Sequence, residues 1–76
     1  METLLFVAER GDERFEVVAG GGEGVYVLRY SGGQSTHDYL QNDIPMAYGC
    51  AEDEWGVTPA EWRPARPGEM PLWKKL

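Results

Sequence analysis

Cysteine is nearly absent from this 76-residue chain, and positive charge is scarce over most of its length. Cys50 is the only cysteine, so neither a disulfide nor a cysteine-based zinc site can staple the fold. A lone thiol fits a reducing compartment. Long hydrophobic runs are missing too. The run "LLFVA" follows the acidic Glu2 and is too short and wrongly flanked for a signal peptide. No stretch approaches the roughly 20 apolar residues needed to cross a bilayer. The expectation is a cytoplasmic protein with no membrane contact.

Arg10, Arg14 and Arg29 are the only basic side chains before Arg63, set against 12 acidic ones. Residues 63–76 reverse the balance, with Arg63, Arg66, Lys74 and Lys75 against Glu69. An acidic body repels phosphate, which disfavours nucleic acid as a partner. The basic tail is better placed to lie on its own acidic body.

What is present suits one small globular domain: 42% apolar residues, nine of the 76 aromatic. A chain of this size buries only about 60% of the surface its unfolded form exposes, so each large apolar group matters. "TLLFVAE" (3–9), "RFEVVA" (14–19) and "VYVLRY" (25–30) read as strands, and "STHDYL" (35–40) as a short fourth. The connections "GDE", "GGGEG" and "SGG" are short enough for hairpins, which gives an antiparallel meander.

A helix follows. Asn42 or Asp43 caps it, Pro45 fits its first turn, and Ile44, Ala47, Tyr48, Ala51 and Trp55 form one apolar stripe. Gly56 suits a left-handed ending with Val57 as its apolar contact, and "TPAE" (58–61) opens a new helical turn with a capping box. This corner is expected to bring Trp62 near Trp55. The fold class is therefore α+β: a three- to four-stranded antiparallel meander packed by one C-terminal helix, a short helical turn and an extended Pro/Trp-rich tail. Residues 1–62 form the domain, and residues 63–76 a tail docked on it. Few lysines beside abundant Gly, Arg and Trp suggest a bacterial source. The element order is similar to that of many small bacterial domains, some antitoxin-type binding domains among them, though no motif carries the likeness.

The first and third strands are apolar on both faces: Leu4 and Phe6 against Leu5 and Val7, then Val25 and Val27 against Tyr26, Leu28 and Tyr30. One helix roofs one face. The other needs a cover, either the tail, anchored by Trp62, Met70, Leu72 and Trp73, or another molecule. Proline in the tail favours a preorganised strap.

Chemical motifs are weak. His37 and Cys50 are the only nucleophile–base candidates, and no basic cluster lowers the thiol pKa. "AGGGEG" lacks the Lys-Ser/Thr of a phosphate loop. Glu52, Asp53 and Glu54 are consecutive, so on a helix they diverge by about 100° each and read as a solvated face. "RPARP" has the spacing of a polyproline ligand but is read first as strap. No cofactor, metal or catalytic constellation is expected. Met46, Gly49, Cys50 and Asp53 are odd occupants of an outer helix face, and Gly49 costs about 1 kcal/mol there relative to alanine.

The reading is a non-catalytic protein-interaction module, homodimeric or serving as an acidic adaptor or modulator of a basic partner. Its candidate surface is Tyr26, Leu28, Tyr30, Met46, Gly49, Cys50, Asp53, Trp62 and Trp73. The alternative is a small-ligand-binding or enzymatic domain with an aromatic pocket between sheet and tail, lined by Trp62, Trp73, Tyr26 and Tyr30.

Overall fold

Two-residue connections at Gly11–Asp12 and Gly32–Gly33 close the first and third hairpins, with Arg10 opposite Glu13 and Ser31 opposite Gln34. The structure, a computed structural model, describes residues 2–20, 22 and 24–75. Its elements are β1 (Thr3–Arg10), β2 (Glu13–Ala19), β3 (Val25–Ser31), β4 (Gln34–Gln41), α1 (Ile44–Trp55) and β5 (Arg63–Pro64). Short 3-10 turns occupy Pro59–Glu61 and Leu72–Lys75. All neighbouring strands are antiparallel, in the order β4-β3-β2-β1-β5.

The sheet thus has five strands rather than three to four. The extra one is two residues long, too short to show any alternation, and contains Pro64. It lies at an edge, where a missing ladder N–H is tolerated. Pro64 stands opposite Phe6 and Arg63 opposite Val7, and the Ala65 N–H donates to the Leu5 carbonyl at 2.9 Å.

The glycine-rich connection between β2 and β3 ends on a constrained position, Gly24. Gly21 and Glu23 lie outside the described residues. Gly24 has a φ of 82°, and a Cβ there would stand 2.1 Å from the Gln41 carbonyl oxygen. Glycine is required twice over, by conformation and by contact. Gly24→Ala is expected to cost about 2–3 kcal/mol, read as a lowered urea midpoint with unchanged slope. A loss below about 0.5 kcal/mol, the range of ordinary surface substitutions, would show that the end of β4 yields freely.

The two sheet faces carry two apolar clusters. Ala8, Phe15, Val17, Val25 and Val27 meet Ala47 and Ala51 of α1 and the buried Val57. Leu4, Val7, Val18, Leu28 and Tyr30 form the second cluster, against Ala65, Leu72 and Trp73 of the tail. The tail is therefore the second cover. Met70 is not among its anchors, being 44% exposed. Nor is Trp62, which packs with the helix-side cluster.

A register shift between Leu4 and Phe6 alters the expected division of β1. Leu5 and Phe6 both pack on the helix side, leaving Leu4 and Val7 under the tail. A bulge places two residues opposite one, so strict alternation fails there.

Asp43 caps α1, accepting the Met46 N–H at 2.9 Å. The helix ends at Gly56, whose φ of 69° is left-handed. Arg10 locks the corner that follows. Its guanidinium donates to the Gly56 carbonyl at 2.7 Å, to Trp55 at 3.3 Å and to the Glu61 carboxylate at 2.6 and 2.7 Å. Glu61 also accepts the Thr58 N–H at 2.7 Å. The corner does not pair the two tryptophans as expected. Trp62 stacks on Tyr48 at 5.4 Å and 10°, while Trp55 meets Phe15, His37 and Tyr39.

Candidate functional site

Two grooves flank β3 and β4, one on each side of the sheet. The first lies between β4 and α1, has a volume of about 500 Å³, and is lined by Tyr39, Gln41, Met46, Gly49, Cys50, Asp53 and Glu54. The helix supplies Met46, Gly49, Cys50 and Asp53 together, the four outer-face residues that the sequence singled out. Tyr39 and Gln41 stand opposite Val27 and Val25 in the ladder, so they share the helix side of the sheet. The Tyr39 hydroxyl donates to Glu54 Oε1 at 3.1 Å and ties strand to helix.

Gly49 has a particular place in this groove. A Cβ built there meets nothing within 4 Å, so no internal contact demands glycine. Replacing it should reduce the backbone entropy lost on folding without creating a clash. Gly49→Ala is expected to raise stability by about 0.5–1 kcal/mol. Met46 beside it is 49% exposed. Two carboxylates and no cation line the groove.

Cys50 is half-buried, and burial, followed by the charges of Glu54 and Asp53, pushes its thiol pKa above the ordinary value. Nucleophilic thiols need the opposite setting. His37 Nδ1 lies 3.1 Å from Thr36 Oγ1, and its ring packs on Tyr39 and Trp55. Among the described residues, no three His, Cys, Asp or Glu side chains converge as a metal site.

The second groove lies between the sheet and the tail. It measures about 440 Å³ and is lined by Glu2, Tyr26, Leu28, Tyr30, Ser35, Asp38 and Trp73. Four of the candidate residues meet here, namely Tyr26, Leu28, Tyr30 and Trp73. Trp62 does not join them, because it lies on the opposite face with its indole Nε1 buried and unpartnered. Of the four residues expected to line a pocket between sheet and tail, Tyr26, Tyr30 and Trp73 therefore share this groove and Trp62 does not.

Beneath the tail is a charged cluster that pattern reading missed. Glu16 is wholly buried. It accepts from Arg14 Nε at 2.7 Å and from the Leu72 N–H at 3.0 Å. Arg14 also reaches Glu69 at 3.3 Å, and Glu69 accepts two bonds from Arg63 at 2.9 Å each. Burial pushes the Glu16 pKa up, opposed by Arg14 and the Leu72 amide. Tyr30 lies against this cluster with its hydroxyl buried beside the Trp73 backbone, and burial followed by the Glu16 charge pushes its pKa up to about 12.

The tail's charges are largely spent internally. Arg63 bridges Glu69 and Glu9, and Lys74 lies 3.8 Å from Glu2. Among the described residues, no helix is long and apolar enough to cross a membrane. In comparisons with family models, curated proteins and solved structures, nothing matches the chain, which leaves its own geometry to carry the functional reading.

Proposed function

We propose that this protein is a non-catalytic interaction module, an acidic adaptor that receives a basic segment of a protein partner in the groove between β4 and α1. The observation that carries this reading is the groove's lining: Asp53 and Glu54 without a cation, beside Met46, Cys50 and Tyr39. Three further features support it. The tail packs on the second sheet face, while Met46 on the outer face of α1 is 49% exposed. The outer edge of β4 pairs with no strand among the described residues, and an extended segment can add to such an edge. The same carboxylates would repel each other across a self-paired groove, which favours a basic partner over a second copy.

A short peptide alternating arginine and valine is the direct probe. It is expected to bind with a strong dependence on salt and to shift the amide resonances of β4. Asp53→Lys should weaken binding about tenfold, whereas Glu52→Lys, with the same change in net charge outside the groove, should weaken it far less. Gly49→Leu should block the groove without loss of stability. Equal effects of the two charge reversals would overturn the reading. Light scattering showing a dimer that Gly49→Leu dissociates would replace the adaptor with a homodimer.

A further inference from the structure

The chain has nine aromatic residues, and they divide cleanly. Phe6, Phe15, Tyr39, Tyr48, Trp55 and Trp62 each lie within about 6 Å of another ring, all on the helix side of the sheet. The remaining three are Tyr26, Tyr30 and Trp73. No ring partner is found for any of them among the described residues, and all three line the groove between sheet and tail. Aliphatic packing covers Tyr30 within the second core cluster, whereas Tyr26 is 39% exposed at the groove.

The polar residues of the same groove are Glu2, Asp38 and Ser35, and no cation is among the lining residues. Tyr30, 1% exposed, and Leu28, 8% exposed, make its floor, while Tyr26 is 39% exposed at its mouth. Aromatic faces attract positive charge through their quadrupoles, and nearby carboxylates add a longer-range pull. An unmodified ammonium is compact and strongly hydrated, and needs acceptors in several directions. Rings and the Leu28 methyls do not supply them, and the acceptors present, Glu2, Asp38 and Ser35, are exposed residues around them rather than part of the buried floor. A methylated ammonium carries its charge on a weakly hydrated apolar surface, which suits such walls.

We propose that the groove formed by Tyr26, Leu28, Tyr30 and Trp73, with Glu2 and Asp38 at its rim, binds a methylated ammonium group. This site is separate from the β4–α1 groove and does not depend on the adaptor reading. The chain supplies its own competitor at the rim, since the Lys74 ammonium lies 3.8 Å from Glu2. Such a group can come from a free quaternary amine or from a methylated lysine side chain.

The test titrates the full chain with choline, with 3,3-dimethylbutanol as its neutral isostere, and with a short peptide bearing trimethyl-lysine. The Trp73 indole N–H and the Tyr26 ring resonances report binding. Choline is expected to bind about tenfold more tightly than the neutral isostere. Tyr26→Ala and Asp38→Asn are both exposed changes that leave the core intact, and each should weaken binding about fivefold. Lys74→Ala should strengthen it by releasing Glu2. Tighter binding of the peptide than of choline assigns the group to a modified protein, and the reverse assigns it to a free amine. Equal affinity for the neutral isostere, no saturable shift with any probe, or shifts confined to residues beside Cys50 would each overturn the proposal.

Discussion

Removing residues 63–76 is expected to leave a chain that no longer folds as a monomer. Leu4, Val7, Val18, Leu28 and Tyr30 would lose Ala65, Leu72 and Trp73, their cover on the second sheet face. Each large apolar side chain returned fully to water costs about 1.5–3 kcal/mol, and five are affected. Proteins of this length are stable by only roughly 4–11 kcal/mol in total. The truncation also strips β1 of its edge partner and takes the Leu72 N–H from Glu16 and Glu69 from Arg14. Circular dichroism and light scattering should show an unfolded or self-associated chain. A cooperative monomeric melt at the temperature of the intact protein would refute the account of the tail. Leu72→Ala is the milder companion, expected to cost about 2–3 kcal/mol because its site is only partly buried.

Glu16→Ala should be the most damaging single substitution. Removing this buried carboxylate leaves the Leu72 amide and Arg14 Nε without their acceptor, although Arg14 keeps Glu69 and Glu9. Breaking a buried pair in this way costs about 3–5 kcal/mol, close to the whole stability of so small a protein. Glu16→Gln keeps an acceptor for Leu72 and should cost distinctly less.

The same residue shapes the pH profile. Burial holds its pKa above the ordinary 4.5, so above that pH the folded chain retains a proton that the unfolded chain has released. Its contribution to stability therefore falls as pH rises through this window. Glu61 acts in the other direction. The hydrogen bond from Arg10, and then the Thr58 amide, hold it down to about 2, so its contribution is present above 4.5 and lost as pH falls toward 2. Glu69, held low first by Arg63, behaves like Glu61. Urea midpoints are expected to rise as pH climbs from 2 toward 4.5, and to decline through the window above it in which Glu16 loses its proton. In Glu16→Gln the decline above that pH should disappear. An unchanged decline in that variant would assign the effect to other groups.

The meander, the single helix and its terminal signals were legible in the sequence because each rests on local chemistry. Asp43, Pro45, Gly56 and the "TPAE" turn need only their immediate neighbours to act. The need for a second cover was also legible, since Val25 and Val27 oppose Leu28 and Tyr30 whatever the tertiary packing.

The bulges were not. Nothing in "LLFV" says which residue is the extra one, and the shift between Arg29 and Tyr30 likewise leaves Thr36 unpaired in β4. β5 was hidden by its length. The burial of Glu16 was hidden because its Leu72 partner comes from more than fifty residues away. Of the groove residues, those on α1 were accessible from helical spacing. Tyr39, Gln41 and Glu54 required the placement of β4 beside the helix. Glu2, Ser35 and Asp38 required the path of the tail. Trp62 was assigned to the wrong side because its face depends on Arg10 fixing the corner, a contact between residues distant in sequence.

The order in which the polypeptide is made gives the tail a further significance. A ribosome finishes all four long strands and the helix before it adds Leu72 and Trp73. The nascent sheet therefore passes through an interval in which Val7, Val18 and Leu28 face solvent, or whatever chaperone is at hand. Slowing elongation over the codons for residues 65–73 should lengthen that interval and lower the soluble yield, while slowing it over the β2–β3 connection should have little effect.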